Sequence, residues 1–64
     1  MYTIQIQLPA KRINLKMPVI PENGERLYLP IDNDLFSTVE LNGKIYEFND
    51  DQTFDLISFT GKVY

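Results

Sequence analysis

The chain has 64 residues, a formal net charge of −3 and 44% hydrophobic residues, among them four Tyr and four Phe, and it reads as one small domain over residues 1–64. It contains neither Cys nor His, which excludes disulfide staples, thiol or imidazole nucleophile–base pairs and the usual transition-metal sites. A chain of this size hides only about 60% of its unfolded surface, so without staples it needs a well-made core or a partner copy.

"YTIQIQL" sets Tyr2, Ile4, Ile6 and Leu8 on one face and Thr3, Gln5 and Gln7 on the other, the period-two pattern of a half-buried strand. It lacks the continuous apolar run of a signal peptide, and nothing in the chain reaches the roughly 20 apolar residues of a membrane span. Pro9 ends this strand, and "PAKR" makes a corner into "RINLKM", where Ile13, Leu15 and Met17 alternate with Asn14 and Lys16. The segment "MPVIPENGERLYLP" holds three of the four prolines. Pro18 and Pro21 stiffen a crossing to the third strand, and Asn23–Gly24 turns it. That strand points Leu27, Leu29 and Ile31 inward and Arg26, Tyr28 and Pro30 outward, and the outward proline marks an edge or a strand end.

After a loop at Asp32–Leu35, Asn42–Gly43 between two β-rich runs predicts a two-residue hairpin, because a type I′ turn needs positive φ at both central positions. In that register Val39, Leu41, Tyr46 and Phe48 share one face, and Phe36, Thr38, Glu40, Ile45 and Glu47 the other. A turn at residues 49–52 leads to the last strand, "TFDLISFTGKVY". Its phase is ambiguous: Phe54 and Leu56 have one parity, Ile57, Phe59 and Val63 the other. A bulge or burial on both faces accounts for adjacent Leu56 and Ile57, and Gly61 is read as a sharp bend. Short strands about ten residues apart with no helical period read as all-β: a small five- to six-stranded antiparallel barrel, SH3-like or related, whose closure removes exposed edges.

Charge is uneven along the chain. Residues 1–21 carry Lys11, Arg12 and Lys16 and no acid; residues 22–64 carry three cations and nine acids. Interleaved strands are expected to mix these charges. Asp32 and Asp34 fit the first two ligand positions of a calcium loop, but Phe36 stands where the third belongs, and polar turn residues explain the segment. No metal, no cofactor and no catalytic group is expected.

The run Ile20-Pro21-Glu22-Asn23-Gly24-Glu25-Arg26-Leu27 resembles an opening found in short SH3-like barrel proteins of bacteria and their phages. An apolar–Pro pair and then Gly-Glu lead into a strand with apolar residues at alternate positions. The resemblance covers about a third of the chain. It implies binding of a protein, peptide or nucleic acid and carries no catalytic residues. The absence of Trp sets the chain apart from peptide-binding SH3 domains.

These observations point to a small non-catalytic protein-binding module in a cytoplasmic setting. Its sharpest form is an inhibitor or adaptor of phage or mobile-element type, acting on another protein or on a second copy as a homodimer. Arg26, Tyr28, Phe36 and Ile45 are the contact residues, Tyr and Arg being favoured interface anchors. Phe36 and Ile45 are read either as core or as interface, because a bent strand buries both faces at different points. Two alternatives stand beside this: a nucleic-acid-binding barrel using Lys11, Arg12 and Lys16, and a structural subunit acting through self-association.

Overall fold

Strands form where the sequence alternates. In a computed structural model that describes all 64 residues, Met1–Tyr64, these are β1 (Tyr2–Gln7), β2 (Arg12–Met17), β3 (Arg26–Asp32), β4 (Leu35–Phe48) and β5 (Phe54–Val63). They make one mixed sheet in the order β2-β1-β5-β4-β3, curled into a half-barrel. There is no helix, and so none long and apolar enough to cross a membrane.

The all-β, small-barrel reading holds, with two differences. The sheet is not antiparallel throughout, because β1 and β5 pair in parallel. Strand direction reverses at each connection, so the first and fifth strands point the same way and can only pair in parallel. Nor does the barrel close: β2 and β3 remain edges, and the ion pair between Lys11 Nζ and Asp32 Oδ1, at 3.3 Å, spans the opening at one end.

The inner face is continuous in register. Ile4 lies between Leu15 and Ile57, and Ile6 between Ile13 and Phe59. Leu41 lies opposite Gly61, and Leu27 opposite Val39. Ile4, Ile6, Leu8, Val39, Leu41, Ile57 and Phe59 are buried, and the inward residues of β2 and β3 pack against them with Ile20. This resolves the phase of the last strand: Ile57 and Phe59 point in. Gly61 is a packing site rather than a bend. A Cβ there would stand 2.6 Å from Leu8 Cδ2, 2.7 Å from Ile6 Cγ2 and 2.9 Å from Val39 Cγ1.

The Asn42–Gly43 hairpin is not formed. The chain runs straight on through β4, and Asn42–Gly43 is a bulge at which the pairing steps from Asn42–Thr60 to Ile45–Ser58. Gly43 has φ 66°, the left-handed conformation that a glycine bulge uses as readily as a type I′ turn does. The tight hairpin lies instead between β3 and β4, where Asn33 (φ 40°) and Asp34 (φ 70°) are the two central residues. The loop through Pro18 and Pro21 crosses from one sheet edge to the other with Pro21 buried. It docks on the bulge: Gly24 N donates to Leu41 O (2.6 Å), Leu41 N to Glu25 O (2.8 Å), and Lys44 N to Asn23 Oδ1 (2.9 Å). Asn23 thereby satisfies a backbone donor that the bulge displaces from the ladder.

Gly61→Ala is expected to lower stability in urea unfolding by about 1–3 kcal/mol, the usual range for overpacking a tight core. Gly24→Ala, with open space around its Cβ but φ 90°, should lose about 1–2 kcal/mol through backbone strain alone. Gly61→Val should be worse than Gly61→Ala, whereas a bend requiring only flexibility would not rank them by volume.

Candidate protein-binding surface

The outward residues of β3 and β4 form the most structured cluster on the surface. Arg26 lies opposite Glu40, Tyr28 opposite Thr38 and Pro30 opposite Phe36. The Tyr28 and Phe36 rings meet diagonally across the two strands with centroids 5.2 Å apart and planes inclined by 32°. Both stay open to solvent, Tyr28 at 73% and Phe36 at 51% of full exposure, so Phe36 is a surface residue and not core. Such a cross-strand aromatic pair steadies the hairpin by about 0.2–1 kcal/mol, yet leaves most of its apolar area uncovered.

Glu40 organises the neighbouring part of this face. Its Oε1 accepts from Arg26 Nε and Nη2, both at 3.4 Å, and from the Tyr64 hydroxyl at 3.0 Å; its Oε2 accepts from Asn42 Nδ2 at 3.0 Å. The Arg26 guanidinium lies over the Tyr64 ring, 4.3 Å from its centroid, and Tyr64 N donates to Thr38 O. The Asn42 amide, then the Tyr64 hydroxyl and the Arg26 guanidinium, hold the Glu40 carboxyl below its ordinary range, since each favours the charged form. Arg26 is thus fixed between Glu40 and the Tyr64 ring, on the same outward face as Tyr28.

Ile45 is exposed as well, but it sits beyond the bulge, outward and opposite Ser58, away from the Tyr28–Phe36 pair. Of the three basic residues of the N-terminal segment, Arg12 and Lys16 lie on β2, the other edge strand, and Lys11 just before it reaches across the opening to β3. Lys11 is held by Asp32, Arg12 Nε donates to Gln7 Oε1 (3.1 Å), and Lys16 Nζ donates to Thr3 Oγ1 (2.6 Å). Arg12 and Lys16 point outward from β2, across the whole sheet from Arg26 and Tyr28, so they do not join those residues in one basic–aromatic patch.

A second apolar cluster was not singled out in the sequence. Beyond the bulge β4 and β5 run on past the last β1 pair, Ile4–Ile57, and continue from Glu47 to Leu56 as a two-stranded arm; Tyr46, Phe48 and Phe54 are exposed, and the Phe48 and Phe54 rings meet edge to face at 6.0 Å. The signal was present in the shared face assigned to Val39, Leu41, Tyr46 and Phe48. A cleft of about 270 Å³ opens at the far end of the half-barrel among Leu8, Pro9, Ala10, Ile31 and Val63, with Lys11 and Asp32 at its rim. No three Asp or Glu residues come together as a metal site would require; Asp32 pairs with Lys11 and Asp34 shapes the turn. No protein-family profile, curated protein or solved structure matches the chain.

A carboxyl whose folded value is depressed stabilises the fold above its unfolded titration and loses that contribution as pH falls through the folded value. Acidification below the ordinary carboxylate range should therefore lower the melting temperature. Asp51, depressed by the Thr53 hydroxyl and backbone N–H, contributes in the same direction. Glu40→Gln should flatten that acid limb and, by releasing Arg26 and Tyr64, narrow their side-chain NMR signals at neutral pH.

Proposed function

We propose that the chain is a non-catalytic protein-binding module of inhibitor or adaptor type whose contact surface is centred on Tyr28 and Phe36, with Arg26 beside them. The observation that carries this reading is the ring pair itself: two large aromatic side chains, ordered against each other on a rigid sheet and left mostly open next to an oriented guanidinium. Tyr and Arg are the side chains most often found as interface anchors, and anchors that are already positioned lose little conformational freedom on binding. Ile45 falls outside this surface.

The test is retention of a partner from lysate of the source cells by the immobilised chain, with Tyr28→Ala/Phe36→Ala as the comparison. The wild type should retain a discrete protein, and the double variant should weaken that binding by at least about tenfold, given the 2 kcal/mol or more typical of such anchors. Its melting temperature should drop only slightly. Equal retention by the two chains, or no retained protein at all, would defeat the reading.

A further inference from the structure

Four stretches of strand have an open side in this sheet, and two of them are blunted. Pro30 deprives β3 of a donor on its free edge. In the arm, the pairing steps from Glu47–Leu56 to Phe48–Phe54, leaving Asp55 as a bulge in β5, which disrupts that edge for further pairing. The other two are clean. The β2 edge has no neighbour and is regular over all six residues against β1. In the arm, β3 reaches only to Glu40 and the 22–25 turn only to Lys44, so Ile45–Phe48 of β4 has an unpaired side and four exposed side chains.

The two clean edges are complementary. The arm, residues 47–56, carries Glu47, Asp50, Asp51 and Asp55 and no cation. The β2 edge carries Arg12 and Lys16 outward, and their outward neighbours on β1 are Thr3, Gln5 and Gln7. On the inner face, β2 presents half-buried Ile13, Leu15 and Met17, whereas the arm presents Tyr46 and Phe48. Laying the arm edge beside β2 therefore sets apolar against apolar on one face and Glu47 against Arg12 or Lys16 on the other. Either like-with-like pairing fails this match: β2 against β2 opposes cations, and arm against arm opposes Glu47 to itself.

We infer that the occupant of the arm edge is the β2 strand of a second copy of this chain, so that copies associate by extending the sheet. Each copy offers one arm and one β2 edge, so the contact is either made twice in a reciprocal two-fold dimer or propagates head to tail into a ring or an open chain. The Tyr28–Phe36 surface is not used, and either proposal can fail alone.

Sedimentation velocity on the purified chain, from micromolar to millimolar concentration and at low and high salt, is the test. Self-association, weaker at high salt, is expected. Glu47→Lys alone and Arg12→Glu/Lys16→Glu alone should each weaken it by at least about tenfold, since like charges juxtaposed at an interface cost several kcal/mol. All three positions are exposed, and circular dichroism verifies that the variants fold. Mixing the two variants should restore association, because each arm then meets an edge of opposite sign. A wild type that stays monomeric throughout, association indifferent to either reversal, or no recovery on mixing would each overturn the inference.

Discussion

The structure depends on one close approach, that of β5 against the inner residues of β1 and β4 at Gly61. Three branched side chains, from Ile6, Leu8 and Val39, converge on the space where any other residue would place its Cβ. That packing lets the final strand lie between β1 and β4 instead of at an edge, which in turn forces the parallel β1–β5 pair. Of the buried residues beside it, Ile57 lies between Ile4 of β1 and Tyr46 of β4, and Phe59 lies beside Ile6 of β1 where the β4 pairing steps across the bulge. A small core without disulfide or metal needs this density, because each apolar side chain contributes only a few kcal/mol on burial.

The second constraint is the bulge at Asn42–Gly43. It inverts the phase of β4, so that Val39 and Leu41 before it and Tyr46 and Phe48 after it lie on the same side of the sheet. It also displaces Lys44 N from the ladder, and the Asn23 side chain of the crossing loop accepts from that N–H. The proline-rich loop is thus a structural part of the fold. It closes one end of the half-barrel and fixes where β3 begins, and so sets the position of Arg26 and Tyr28.

An open half-barrel of this size buries few side chains completely and leaves many large ones in water. On β3 and β4 these exposed residues are ordered by their neighbours, through the Tyr28–Phe36 contact and the Glu40 hub. In the arm they extend beyond the point where β3 stops. The β3–β4 cluster lies on strands whose opposite face is committed to the core, whereas in the arm both faces of β4 stand open from Ile45 to Phe48.

The sequence by itself determined the strands and their inward faces. Period-two alternation identified Ile4, Ile6 and Leu8, then Ile13, Leu15 and Met17, then Leu27, Leu29 and Ile31, because a strand's side chains alternate whatever it pairs with. It also identified the outward positions of Arg26 and Tyr28. What it could not distinguish was a turn from a bulge at Asn42–Gly43, since both use the same left-handed glycine. The face shared by Val39, Leu41, Tyr46 and Phe48 came out the same either way. The tertiary structure decided the rest: the phase of β5, the parallel pair, the exposure of Phe36 and Ile45, and the separation of the basic segment from Tyr28. Each depends on which strand lies beside which. That is settled by long-range packing around Gly61, a contact between residues too distant in the chain for any local pattern to record.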